Sequence, residues 1–91
     1  MVKVTKKGKS AWVTFTVSPE NAHSVKLCGS WNEWREERMN IKKSGEYYLR
    51  RKLDLDNEYQ FGYLIDAEWS CDSDLECVAS PFNSQNSLLK L

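Results

Sequence analysis

Ala11-Trp12-Val13-Thr14-Phe15-Thr16-Val17 alternates with a period of two. Val13, Phe15 and Val17 share one face, and Trp12, Thr14 and Thr16 share the other. That is the pattern of a strand with one face on a core and one toward solvent. Trp12, on the outer face, is expected either to be exposed or to cover an edge. The same period returns in Tyr59, Phe61, Tyr63 and Ile65, and again in Tyr47, Leu49, Leu53 and Leu55. Arg51 interrupts the last of these faces, so a twist, a bulge or an edge is expected there. Ser24 to Cys28 reads as a short strand with Val25 and Leu27 inward. Met39 to Lys43 and Ser87 to Leu91 read as two more.

Turn residues separate these runs: Ser18-Pro19-Glu20-Asn21, Gly29 to Trp34, Ser44-Gly45, Asp56-Asn57 and Asp66-Ala67-Glu68. Arg35 to Arg38 suits at most one helical turn, too short to stand alone. Residues 70–86 read as a long polar loop carrying Pro81 and Phe82. About seven short strands at this spacing predict an all-β, antiparallel sandwich. Residues 1–10 are expected to be an N-terminal extension or edge strand, and 11–91 a single domain.

The chain has 91 residues, 41% hydrophobic and 29% charged, which suits one modest core and argues against disorder. No apolar run reaches the length of a membrane span. The basic start, MVKVTKKGKS, has no apolar stretch behind it, so a secretory signal is not expected. Charge is balanced overall but divided along the chain. Residues 1–52 hold 12 Lys/Arg against 5 Asp/Glu, and residues 53–91 hold one Lys against 8 Asp/Glu. Interleaving of strands from the two halves is expected to mix these charges on the surface. Three cysteines without a signal segment point to a reducing compartment, and the expected location is cytoplasmic. Cys28 reads as a small buried thiol. Pairing of Cys71 with Cys77 under oxidation stays open.

Enzymatic chemistry is not expected. The single histidine, His23, has no Ser or Asp partner motif, and there is no Gly-rich phosphate loop. The cysteines and His23 lack zinc spacing, and the acidic stretch 72–76 lacks the glycine of a calcium loop, so neither a metal nor any other cofactor is expected. Arg50-Arg51-Lys52 is too short a run to imply nucleic acid. Binding fits better. Trp34 and Trp69 fall in turn or loop contexts, where flat indoles can stack on sugar rings beside amides and hydroxyls, such as those of residues 83–86. The competing reading makes either indole a lid on the core. Trp31 reads as a core residue.

Three segments carry a family resemblance. Val25-Lys26-Leu27-Cys28-Gly29-Ser30-Trp31-Asn32-Glu33-Trp34 resembles the V-x-L-x-G-(S/D)-F-N-x-W segment of the family-48 carbohydrate-binding modules. Tyr59 to Trp69 resembles their Y-x-(Y/F)-(K/R)-F-x-V-D-G-x-W segment. Asp72, Pro81-Phe82-Asn83 and Asn86-Ser87-Leu88-Leu89 are similar to the closing segment. All three occur in the family's order, across residues 11–91. The family includes N-terminal domains of isoamylases and glycogen branching enzymes, and the glycogen-binding module of the AMP-activated protein kinase β subunit. The resemblance implies an immunoglobulin-like, early-set sandwich and a stand-alone member with no catalytic domain. It implies binding of an α-1,4-glucan (glycogen, starch or maltooligosaccharide), with a glucan-metabolising enzyme as a partner in trans and neither nucleic acid nor membrane.

By the same resemblance, Trp34 and Trp69 are the two stacking platforms, Phe82 inserts against the glucan, and Ser84 and Asn86 make polar contacts. Three departures bear on this. One of them, Asn83 where a glycine is usual after Phe82, is expected to keep its turn because Asn tolerates left-handed backbone. Gly62 stands where the family's glycogen binders often carry a Lys or Arg that bonds the sugar, which predicts weakened or lost affinity. Ala67 stands where a glycine is usual and is expected to change the turn type. The alternative is a protein-interaction or adaptor module that keeps the sandwich without the sugar site. It predicts a contiguous exposed apolar patch, for instance around Trp12.

Overall fold

The computed structural model describes residues 1–79 and 85–91. The chain forms an all-β sandwich of two antiparallel sheets. The first sheet has the order β1-β2-β6-β5, from β1 (Val2–Lys7), β2 (Ser10–Val17), β6 (Tyr47–Asp54) and β5 (Asn40–Ile41). The second has the order β4-β3-β7-β10-β9, with β8 paired to β7 beyond the end of β10. Its strands are β3 (Val25–Gly29), β4 (Glu37–Arg38), β7 (Glu58–Ile65), β8 (Glu68–Ser70), β9 (Cys77–Ala79) and β10 (Gln85–Lys90). The architecture is the immunoglobulin-like sandwich that the sequence leads one to expect.

The long strands obey the alternation read from the sequence. Ala11, Val13 and Phe15 of β2 face Leu49 and Leu53 of β6, and across the sandwich they meet Val25, Leu27, Phe61 and Tyr63. Each is buried. At about 25 cal/mol per Å² of apolar surface, every fully buried Phe or Leu contributes about 2 kcal/mol. Trp31 joins this core as expected. Its ring lies over Gly29 and stacks on Phe15, with centroids 5.2 Å apart. Gly29 is required there, because a Cβ would fall inside the indole.

Ten strands are present among the described residues, against about seven expected. The additional pairings are two or three residues long, too short to show a period. Two expectations are corrected here. Arg35 to Arg38 makes no helical turn; Glu37 and Arg38 instead pair with Leu27 and Lys26 of β3. Residues 70–86 are not one loop, because Ser70 ends β8, Cys77–Ala79 pairs with β10, and β10 starts at Gln85. The only helical element among the described residues is a 3₁₀ turn over Ser30–Asn32.

Arg51 causes no bulge, since the β2–β6 register runs unbroken from Ser10↔Asp54 to Val17↔Tyr47. It lies on the open edge of β6, beyond the two residues that pair with β5. Its Nε donates to both Glu37 carboxylate oxygens at 3.0 and 3.1 Å, an ion pair that joins the two sheets.

The expected mixing of charge does not occur in the first sheet. All four of its strands come from residues 2–54, and together they hold six Lys/Arg and a single Asp. The second sheet interleaves strands from both halves and holds three Lys/Arg against three Asp/Glu, so the expected mixing occurs there alone.

Candidate functional site

The centre of the second sheet presents its outer face to solvent. Phe61 and Tyr63 point inward, so Gln60, Gly62 and Leu64 of β7 point outward. β8 folds back on β7 with Trp69 opposite Leu64, which puts the indole on the same outer face. There the ring settles over Gly62. A Cβ at Gly62 would stand 2.7 Å from Trp69 Cη2 and closer still to Cζ2 and Cε2. The indole Nε1 donates to the Gln85 carbonyl at 2.8 Å. Trp69 is thus half-buried and fixed at its polar end.

Trp34 arrives from the other side of β7. After the 3₁₀ turn, Glu33 and Trp34 both adopt left-handed backbone, with φ of 62° and 64°. For residues with a Cβ this costs roughly 1–2 kcal/mol each. The Trp34 N–H donating to the Gly29 carbonyl at 3.0 Å helps to hold the conformation. Its result is an indole 40% exposed that reaches toward β7. Trp34 and Trp69 are 35 positions apart in the chain. β3–β7 pairing brings their ring centroids to 6.2 Å, with the ring planes inclined at 53°.

A polar margin borders the two rings. The Asn86 Nδ2 donates to the Gln60 Oε1 at 3.1 Å, and the Gln60 backbone N–H donates to the Ser30 Oγ at 3.1 Å. Asn86 is on this outer face but only 6% exposed, with its amide engaged by Gln60. Of the five residues singled out in the sequence, Trp34, Trp69 and Asn86 lie on one face, while Phe82 and Ser84, like Asn83 between them, fall outside the described residues. Gln60 escaped sequence reasoning. Its position two residues before Gly62 on the same strand face was the signal that could have found it.

The turn and loop around Trp69 are fixed by carboxylates. Asp66 and Ala67 have φ of 50° and 70°, the two-residue hairpin with both central residues left-handed. Ala67 fits this turn less easily than glycine would, because its left-handed backbone carries a steric cost. Asp66 Oδ1 accepts from the His23 and Ser24 N–H groups at 2.8 and 2.9 Å. Those bonds, Ser24's first, hold its carboxyl below the usual range.

On the other side, Asp72 is buried, and burial pushes its carboxyl up. The Met1 ammonium, the Asp74 N–H and the Tyr63 hydroxyl bonded to it outweigh burial, and the group sits below its ordinary value. Burial, then the Asp72 charge, raises the Tyr63 hydroxyl far above its own. Cys71 and Cys77 are joined as a disulfide around this loop, and Cys28 is a free buried thiol.

This surface offers apolar ring faces with amides and hydroxyls beside them. The combination suits a ligand that has C–H faces and a polar rim.

The family described as "Glycogen recognition site of AMP-activated protein kinase" matches residues 13–91, a stretch that includes both tryptophans. No curated protein matches the chain. Among solved structures, the apo pullulanase from Paenibacillus barengoltzii is similar in fold, with a TM-score of 0.60 at 13% identity over 99% of this chain. The match covers 14% of the pullulanase chain, so it speaks to architecture alone. The protein belongs to the family of the AMP-activated protein kinase glycogen recognition site.

Proposed function

We propose that this chain is a non-catalytic α-glucan-binding module in which successive glucose rings stack on Trp34 and Trp69. The observation that carries this reading is the relation between the two indoles, 6.2 Å apart and inclined at 53°. Coplanar aromatics suit a flat polysaccharide. Inclined ones suit a chain whose successive rings turn, as α-1,4-linked glucose does. Family membership supports the same ligand class. Gln60 and Ser30 supply polar groups at the margin, and Asn86 acts by holding Gln60 in place. The natural ligand is glycogen, starch or a maltooligosaccharide, met in the cytoplasm, where Cys71 and Cys77 would be held reduced, with a glucan-metabolising enzyme acting in trans on the same glucan.

Gly62 removes the cation that many glycogen binders carry but leaves the stacking surface. Affinity then rests mainly on the two rings. The adaptor reading has less support. Among the described residues the large exposed apolar ones are Met1, Val4, Trp12, Trp34 and Ile41, and the surroundings of Trp12 are basic instead of apolar.

Titration of tryptophan fluorescence with maltoheptaose and with β-cyclodextrin tests the proposal. Saturable quenching is expected in the wild type and its loss in Trp69→Ala. An unchanged spectrum at millimolar sugar would overturn it.

A further inference from the structure

The outer face of the β1-β2-β6-β5 sheet is the strongest charge feature of the molecule. Val13 and Phe15 point inward, so Trp12, Thr14 and their cross-strand partners point outward. Lys3, Thr14 and Arg50 form one row across three strands. Thr5, Trp12 and Lys52 form the next, and Lys7, Ser10 and Asp54 the third. Neighbouring strands are about 4.8 Å apart and alternate residues about 6.8 Å apart, so four cations share a patch of roughly 10 by 14 Å. Lys3, Lys7, Arg50 and Lys52 are all exposed. None of them enters a salt bridge among the described residues. Asp54, at one corner, is the single acid in these rows.

The aromatic rings of this face are already occupied. The Arg50 guanidinium carbon lies 4.4 Å from the Trp12 ring centroid, and the Lys42 ammonium lies 5.3 Å from that of Tyr48. A nucleobase would have to displace a cation in order to stack. A carboxylate meets a guanidinium that its indole already holds in place, with N–H edges free for paired hydrogen bonds. The two faces of the sandwich point in opposite directions, so an occupant here leaves Trp34 and Trp69 clear.

We propose that this face docks an acidic segment of a partner protein, its Asp and Glu side chains spanning Lys3, Lys7, Arg50 and Lys52. The docking does not depend on what the opposite face binds. If that face holds glucan, the module tethers the partner to it.

Fluorescence anisotropy of a labelled oligo-glutamate peptide, titrated with the full chain, tests the proposal. Saturable binding at low ionic strength is expected, fading as salt screens the patch. Arg50→Glu with Lys52→Glu should weaken binding about tenfold or more, and so should Lys3→Glu with Lys7→Glu on the edge strand. Near-UV circular dichroism verifies that each pair keeps the fold. Lys90→Glu, on the other sheet, should leave the peptide titration unchanged, and both double variants should leave the maltoheptaose titration as in the wild type. Absence of peptide binding to the wild type would overturn the proposal, as would an equal loss in Lys90→Glu. Tighter binding of oligo-dT or of phosphatidylserine vesicles through the same residues would overturn the assignment of a protein partner.

Discussion

The six-membered ring of Trp69 occupies the space in which a side chain at position 62 would stand. Gly62 therefore has a packing role of its own. It is the floor that lets an indole lie against the sheet, with its N–H on the Gln85 carbonyl. Gly29 does the same for Trp31 inside the core. Gly62→Ala should lift the Trp69 ring and strain its bond to Gln85. The expected cost is about 1–3 kcal/mol of stability, with weaker maltoheptaose binding in the same variant. Chemical denaturation and the fluorescence titration read the two effects separately. Gly62→Lys should behave like the alanine variant and fail to restore affinity, because its Cβ meets the same ring.

Trp34 separates binding from stability in the opposite sense. Its backbone is left-handed and its indole is outside the core. Trp34→Gly relieves the steric strain and removes the platform. Melting temperature should stay within a few degrees of the wild type, while maltoheptaose affinity falls about 10- to 100-fold, as for a tryptophan central to an interface. A large drop in melting temperature would show the indole to be a structural lid.

Ala67 is a site for stabilisation. With φ of 70° it adopts a conformation that glycine takes without steric cost. Ala67→Gly should stabilise the fold by up to about 1 kcal/mol, net of the greater entropy of the unfolded glycine. The neighbouring Asp66→Ala should lose stability, because the His23 and Ser24 N–H groups lose their shared acceptor. Urea denaturation of the two variants measures both signs.

Asp66 and Asp72 set the acid limit. Both carboxyls titrate below their ordinary values in the folded chain. A depressed folded pKa means stability that is fully present above the unfolded value of about 3.9 and lost as the pH falls through the folded one. Stability should therefore hold from neutral pH to about pH 4 and decline below it. Asp72→Asn should lower stability at pH 7 by about 1–2 kcal/mol and flatten the decline. Its amide oxygen still accepts from Tyr63, but the charge that the Met1 ammonium and the Asp74 N–H favour is gone. Urea titrations between pH 7 and pH 2 give both quantities.

The sequence displays what repeats every two residues. The inward faces of β2, β6 and β7 were legible because Val13, Phe15, Leu49, Leu53, Phe61 and Tyr63 each alternate with outward residues. The pairings at 37–38 and 77–79 were not, since two or three residues show no period. Trp34 and Trp69 were legible as candidates through their turns and the family's segments. The 53° between them depends on Trp34's left-handed backbone and on the Gly62 floor, contacts that join separate strands. The extent of the basic face was hidden for a related reason. Arg50 and Lys52 were legible as one short run, but Lys3 and Lys7 are far from them along the chain, and only the β1-β2-β6 order sets the two pairs on one face.

The Cys71–Cys77 disulfide closes a loop of six residues' separation between β8, which carries Trp69, and β9. Inside that loop the Asp72 N–H donates to the Ser87 Oγ, and the Asp72 carboxylate accepts from Tyr63. Two restraints thus act on one segment, one covalent and one built from buried hydrogen bonds. Reduction removes the covalent one and frees the unfolded chain by about 2 kcal/mol of loop entropy. The hydrogen bonds remain, so the reduced chain should stay folded with a lower melting temperature. Trp69 is two residues from Cys71 and should gain mobility, so maltoheptaose affinity should fall modestly on addition of dithiothreitol. The Cys71→Ser/Cys77→Ser variant should show the same affinity with and without reductant, close to that of the reduced wild type. A response to reductant that persists in the double variant would assign the effect elsewhere, with Cys28 as the remaining thiol.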